Sequence, residues 1–280
     1  MFQQIIVPLD GSEEACEALG PAATLARRVG APLHIVALHP PDADPAPLEA
    51  LVLEQADETG DVIRVVEVRP IEESVPRDLR RLADRWGPSL IVMASHGRGR
   101  SAALIGSVAN DILNHPGQPV MLVGPGVVRS RFRTHGPAVV SVTGEDDDVL
   151  NLAAAILAET DFDPMIANVM DPRRSRELDL VRSGPHGSDV PADSVVAERA
   201  AGRLAQATGR SAIDFDVFHD PHVADALVAE TTRRRASLLI MATHARSGFE
   251  RLSTGSVTAE VVRTAPCPVL VTRIVDEPER

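Results

Sequence analysis

The chain contains the same stretch twice. The first copy runs Ser89-Leu90-Ile91-Val92-Met93-Ala94-Ser95-His96-Gly97-Arg98, passes through Gly106-Ser107-Val108, and ends at Gln118-Pro119-Val120-Met121-Leu122-Val123. The second starts at Ser237-Leu238-Leu239-Ile240-Met241-Ala242-Thr243-His244-Ala245-Arg246, passes through Gly255-Ser256-Val257, and ends at Cys267-Pro268-Val269-Leu270-Val271. Ser89 maps onto Ser237 at an offset of 148, whereas Gly106 and Pro119 map onto Gly255 and Pro268 at 149, so the first copy's loop is one residue shorter. Each copy reads as an apolar strand, a Gly/Ser/Arg loop, a helix opening at Gly-Ser, and a second apolar strand after proline. Apolar runs without alternation are strands covered on both faces, as in a parallel sheet with helices on each side. The loop then lies at the carboxyl edge of the sheet, where open α/β folds bind ligands and where free amides at a helix start favour an anion.

The rest of the chain fits two units built this way. Gln3 to Leu9 reads as a strand, Asp10-Gly11-Ser12 as a turn capped by Ser12, and the next helix as running to Val29 with Gly30 as its stop. Strands are expected at 33–38 and 62–68, helices from about 48 to 59, 75–86 and 102–114. Gly124 to Pro137 reads as a linker. The second half repeats the order, with strands at 138–142, 165–170 and 212–218, helices at 146–158, 192–207 and 221–234, and a long polar loop from Asp171 to Pro191. Five strands alternating with four helices in each half imply two tandem doubly wound five-stranded parallel sheets. The expected domains are 1–126 and 138–276, packed as a pseudo-dimer in which the fifth strands cover each other's edges.

Composition removes several function classes. The 280 residues include 28 basic and 40 acidic side chains, a formal charge of -12, which argues against broad nucleic-acid binding. There is no lysine, so a Walker A lysine and a Schiff-base lysine are both excluded. Two cysteines, Cys16 and Cys267, suit a reduced compartment and read as small core residues. No apolar run approaches the ~18 residues of a membrane span, and a cytoplasmic location is expected.

Met-Ala-Ser-His-Gly-Arg, a Gly-Ser about ten residues later and a Pro-Val-Leu-Val type strand resemble the C-terminal signature of universal stress protein domains. Ile5-Ile6-Val7-Pro8-Leu9-Asp10-Gly11-Ser12 resembles the family's first strand and turn. The resemblance covers nearly the whole chain and implies a tandem two-domain member with the adenine-nucleotide alpha-hydrolase-like fold. It also implies where ATP, accompanied by magnesium, would sit in members that bind it. Asp10 would accept from adenine or ribose, and the backbone near Leu38 would meet the base. Gly97, Gly106, Ser107 and Val108 would surround the phosphates, with Arg98 and Arg100 screening charge. These residue types suit that task, because glycine lets an anion approach the backbone and Ser107 adds a hydroxyl to the amides.

The family's nucleotide pattern is Gly-x-x-Gly, nine residues, then Gly-Ser or Gly-Thr. Here Ala94 replaces the first glycine and eight residues separate Gly97 from Gly106; in the second half Ala242 and Ala245 replace both glycines at intact spacing. Thr143 stands where the first half has Asp10, followed by Glu145, Asp146, Asp147 and Asp148. The first half is therefore the expected binder, with the nucleotide as a regulatory ligand. The alternative is a nucleotide-free interaction module of the same fold. Expected partners are an adenine nucleotide and signalling proteins, without nucleic acid or membrane; a homodimer of the whole chain stays open. Enzymatic turnover is expected to be absent or very slow. Ser95-His96 and Thr243-His244 look like nucleophile and base, but neighbours along an extended chain point to opposite faces. Gly97-x-Gly99-x-x-Ala102 matches a loose dinucleotide fingerprint, but it lies on the fourth strand, and no Asp or Glu follows the next strand at Val123 as a dinucleotide site needs. The histidines show no metal-site spacing.

Overall fold

The computed structural model describes residues 2–96, 105–115, 117–128, 132–144, 147–170, 172, 192–244 and 256–274. In the first half β1 (Gln4–Leu9) leads into α1 (Glu13–Cys16) and α2 (Leu19–Val29). Next come β2 (Leu33–His39), α3 (Ala46–Ala56), β3 (Arg64–Pro70), α4 (Val75–Trp86), β4 (Ser89–Ala94), α5 (Ser107–Leu113) and β5 (Val120–Val123). The second half gives β6 (His135–Val142), α6 (Asp147–Leu157), β7 (Asp161–Met170) and α7 (Ala192–Thr208). It ends with β8 (Asp214–His219), α8 (Val223–Arg234), β9 (Leu238–His244), α9 (Ser256–Thr264) and β10 (Val269–Ile274).

Each half is a parallel sheet, and the two are fused. The strand order is β3-β2-β1-β4-β5-β10-β9-β6-β7-β8, with β5 and β10 antiparallel through Val269 to Leu122, Leu270 to Met121 and Val271 to Val120. The expected covering of fifth-strand edges is thus achieved by main-chain pairing. Alternate residues serve two helical layers: Ile5, Val7 and Leu9 pack with Leu19, Leu25 and Val52, while Ile6 packs with Leu79, Leu82 and Ile112. Cys16 and Cys267 lie in these cores, and burial pushes the Cys267 thiol up to about 12, which leaves it protonated and unreactive.

Several boundaries differ from the sequence expectation for identifiable reasons. The first helix breaks after Cys16, since Pro21 cannot donate to the carbonyl of Glu17 four residues back; Glu17 and Ala18 instead donate to Glu14 and Ala15 in tighter turns. Strand β6 begins at His135, inside the segment read as linker, and β7 begins at Asp161, because the two pair along their full length from His135 and Asp161. Helix α5 starts at Ser107 rather than at 102, because Gly106 is extended and donates its amide to Ser95 O at 2.7 Å.

Helices α4 and α8 occupy equivalent places, so Glu230 stands where the first half buries Leu82. Its carboxylate, 4% exposed, accepts from Arg233 at 2.7 and 2.6 Å and from Arg234. Burial opposes ionisation, but those arginine hydrogen bonds outweigh it and hold the Glu230 carboxyl below the usual range. A lowered folded value means the stabilisation is complete above the ordinary carboxylate range and is lost as pH falls through the folded value. Glu230→Leu should match or exceed wild-type stability in urea at neutral pH and abolish part of the acid-side loss, whereas Glu230→Ala should cost about 2 kcal/mol.

His34 on β2 stacks on Trp86, with ring centroids 4.2 Å apart, and its Nε2 lies 2.6 Å from Gln4 Oε1. Its Nδ1 is buried without a partner. Desolvation lowers the pKa of His34, opposed by the Glu67 carboxylate. The unfolded chain therefore takes up this proton first: stability should begin to fall as pH drops through about 6.5 and go on falling to the lower folded value. Trp86 is the sole tryptophan in a chain without tyrosine, so its emission reads this contact directly. We expect an emission step below pH 6.5 that His34→Leu eliminates.

Candidate functional site

The first half reverses its winding between β1 and β4, which are parallel neighbours. Connections leave these two strands toward opposite helical layers, opening a crevice at their carboxyl ends. The register pairs Leu9 with Ala37 and Ile6 with Ile91. Carried forward along the strands, it sets Asp10 level with Leu38 and Ser95.

The local chemistry builds the floor of this crevice. Asp10 Oδ1 accepts from Ser12 N at 2.9 Å and Ser12 Oγ at 2.5 Å, and Ser12 Oγ in turn accepts from Ala15 N at 3.2 Å to cap α1. Asp10 thus holds the turn as well as standing exposed at the crevice. Gln55 of α3 donates to Gly11 O at 3.2 Å, a brace that no local pattern announces, since 44 residues separate the pair. On the β4 side Ser95 N donates to Val123 O and Ser95 O holds the Gly106 amide. Ser95 was not singled out for that role, and only the pairing of β4 with β5 discloses it.

The expected phosphate residues divide into two groups. Gly106, Ser107 and Val108 are at the start of α5; Gly97, Arg98 and Arg100 lie outside the described residues. A Cβ on Gly106 would meet Ser95 O at 3.5 Å and His96 Cα at 3.7 Å, which are ordinary contacts, and its φ of -60 suits any residue. Neither backbone conformation nor the described packing demands glycine there, so the open face of Gly106 suits close approach of a ligand. Ser107 and Val108 also line an open groove of about 490 Å³ between α4 and α5, with Arg77, Arg80, Asp111 and His115. Its cations are engaged, Arg80 with Asp111 at 3.0 Å and Arg77 with Glu73 at 2.9 Å.

Ser95 and His96 do not point apart. The chain bends after β4 and brings Ser95 Oγ to 3.3 Å from His96 Nδ1. Ser95 is only 3% exposed, and among the described residues no carboxylate pairs with His96, so the contact braces the turn rather than forming an oriented nucleophile. In the second half, Thr143 takes the place of Asp10, and Asp147 is engaged by Arg203 at 2.5 Å. Glu145, Asp146, Ala245 and Gly255 lie outside the described residues.

The model of the universal stress protein family matches residues 1–124 and again residues 139–273. The chain belongs to the universal stress protein family. Universal stress protein Rv1996 of Mycobacterium tuberculosis is 24% identical over 209 residues, which are 68% of this chain and 60% of that protein. The match thus spans about three-fifths of that relative's length. A functionally unknown protein, PA1789 of Pseudomonas aeruginosa PAO1, has a similar structure, with a TM-score of 0.66 at 16% identity over 97% of this chain and 92% of that one. A universal stress protein from Archaeoglobus fulgidus gives 0.62 at 18% identity, covering 98% and 97%. Both solved chains match across both halves, so the tandem arrangement of this universal stress protein is shared. Among the described residues no helix is long and apolar enough to cross a membrane.

Proposed function

We propose that this universal stress protein acts in the cytoplasm and binds ATP or a related adenine nucleotide in its first half as a regulatory ligand. The observation that carries the reading is the crevice at the β1/β4 switch point, where Asp10, Leu38 and the unhindered Gly106 meet at one sheet edge. The backbone near Leu38 would meet the base, the Asp10 carboxylate the ribose or adenine, and the Ser107 and Val108 amides the phosphates across the open face of Gly106, with Gly97 and Arg98 as the further expected contacts. Magnesium would accompany the phosphates and offset their charge. Anions at such a turn draw on aligned amides rather than on a lysine, which this chain lacks. Regulation rather than turnover fits the site, since the described residues offer no placed base to activate water.

A nucleotide-free interaction module of the same fold is the second reading. It is favoured by Ala94 and by the eight-residue spacing before Gly106, which could draw Ser107 off the phosphates. Extraction of the purified protein followed by chromatography separates the two. Bound adenine nucleotide at close to one equivalent is expected; protein that carries none and shows no heat on titration with ATP would leave only the second reading.

A further inference from the structure

Gln55 projects from a helix end that is fixed on several sides. Val52 and Ala56 of α3 are buried, Thr59 Oγ1 donates to Ala56 O at 2.7 Å, and Arg27 of α2 donates to Thr59 O at 3.2 Å. From there the side-chain amide crosses to the turn after β1, where Gln55 Nε2 donates to Gly11 O at 3.2 Å. Its other polar atom, Oε1, is buried without a partner among the described residues. A buried acceptor left unsatisfied costs stability, and an apolar side chain of similar length, such as methionine, would avoid that cost. What glutamine adds at this position is therefore the donor aimed at Gly11.

Gly11 O shares a peptide plane with Ser12 N, and Ser12 N donates to Asp10 Oδ1 at 2.9 Å. That plane is rigid and trans, so its carbonyl and its N–H point in opposite directions. Fixing the oxygen from the α3 side thus fixes the direction in which the N–H is offered to the carboxylate. Without that hold the peptide has room to rock, because Gly11 (φ 80) carries no side chain to restrict it. The two hydrogen bonds run head to tail through one amide group, an arrangement in which each polarises and strengthens the other.

We infer that Gln55 is a positioning residue for the Asp10 carboxylate: it orients Asp10 through the Gly11–Ser12 peptide, and its unsatisfied Oε1 is the stability given up for that orientation. This role rests on the nucleotide reading above. It adds α3 to a site otherwise built from β1, β2, β4 and the start of α5.

Calorimetric titration with ATP and magnesium, thermal melting of the whole chain and a double-mutant cycle with Asp10→Ala test it together. Gln55→Met is expected to weaken ATP binding about fivefold, as the loss of one neutral hydrogen bond does. The same variant should melt at or above the wild-type temperature, because the orphaned acceptor is gone. On the Asp10→Ala background it should change affinity by less than about twofold, since its effect passes through that carboxylate. In nucleotide-free Gln55→Met the Ser12 amide proton should move upfield and exchange faster, while the amides of β1 stay as in wild type. Gln55→Glu keeps the shape and removes the donor, so it should lose at least as much affinity. Equal ATP affinity in wild type and Gln55→Met, additive losses in the double mutant, or affinity lost only in step with stability would each overturn the inference. Wild type that binds no ATP would instead bring down the nucleotide reading, and this role with it.

Discussion

Replacing Gly124 by alanine is expected to destabilise the protein by about 3 kcal/mol and to lower its melting temperature by at least about 5 °C. A Cβ built there would lie 1.9 Å from Val262 O and 3.1 Å from Val262 C, both backbone atoms at the end of α9. No rotation of a flexible side chain relieves such a contact, so α9 or the end of β5 must move. Gly126 meets the same helix end, with a Cβ position 2.7 Å from Ala265 O. The contact sits beside the β5–β10 pairing that joins the halves, so the calorimetric transition of Gly124→Ala should broaden or split as the halves unfold separately. Gly202→Ala in α7 is the control. Nothing lies within 4 Å of its Cβ position, and alanine there should stabilise by up to about 1 kcal/mol. Equal melting of wild type and Gly124→Ala would mean that the two halves are not packed as described.

Asp10→Ala is expected to weaken adenine-nucleotide binding about tenfold or more, since a lost charge-assisted hydrogen bond costs about 1.5–3 kcal/mol. Thr143→Ala, at the equivalent place in the second half, should change little. Asp10 also holds the turn that caps α1, so Asp10→Ala alone mixes two effects. Ser12→Ala removes the cap while keeping the carboxylate, and it should cost about 1 kcal/mol of stability with a smaller loss of affinity. Gly106→Ala separates them from the other side. Its Cβ meets only ordinary contacts at 3.5 and 3.7 Å, so the fold should tolerate it while the phosphates lose their approach. Calorimetric titration with ATP reads all four variants. Nucleotide bound only in the second half, around Gly255 and Ser256, would mean that intact loop length outweighs the glycine and aspartate of the first.

The elements that were legible in sequence are those whose cause is local. The unbroken apolar runs at β4 and β9, the Ser12 cap and the stop at Gly30 (φ 70) all depend on residues within a few positions of one another. The candidate site was legible to the same depth. The stretches around Asp10 and Gly106 carry their own turn and helix-start chemistry, and the alternation of elements puts them on one sheet edge. Its supports were not legible, because Gln55 reaches Gly11 and Ser95 reaches Val123 and Gly106 across the fold. The Ser95–His96 geometry was misread for a related reason: alternation holds along a strand, and β4 has already ended at Ala94.

By itself the sequence determined that this chain makes two parallel α/β units with matching loops, because strand and helix periodicity, turn residues and the repeat are written within each segment. The fifth strands were expected to cover each other's edges, and the tertiary structure decided the form this takes, one continuous sheet. Four-residue β5 has no local feature that fixes its direction or register on β10, and pairing Met121 with Leu270 is a choice made between surfaces rather than along the chain. The same holds for Glu230, whose helix position reads as core and whose charge is made tolerable only by Arg233 and Arg234 closing over it. Gly124 looks like a linker residue in sequence. Only the approach of α9 from the other half turns it into a position that no larger side chain can occupy.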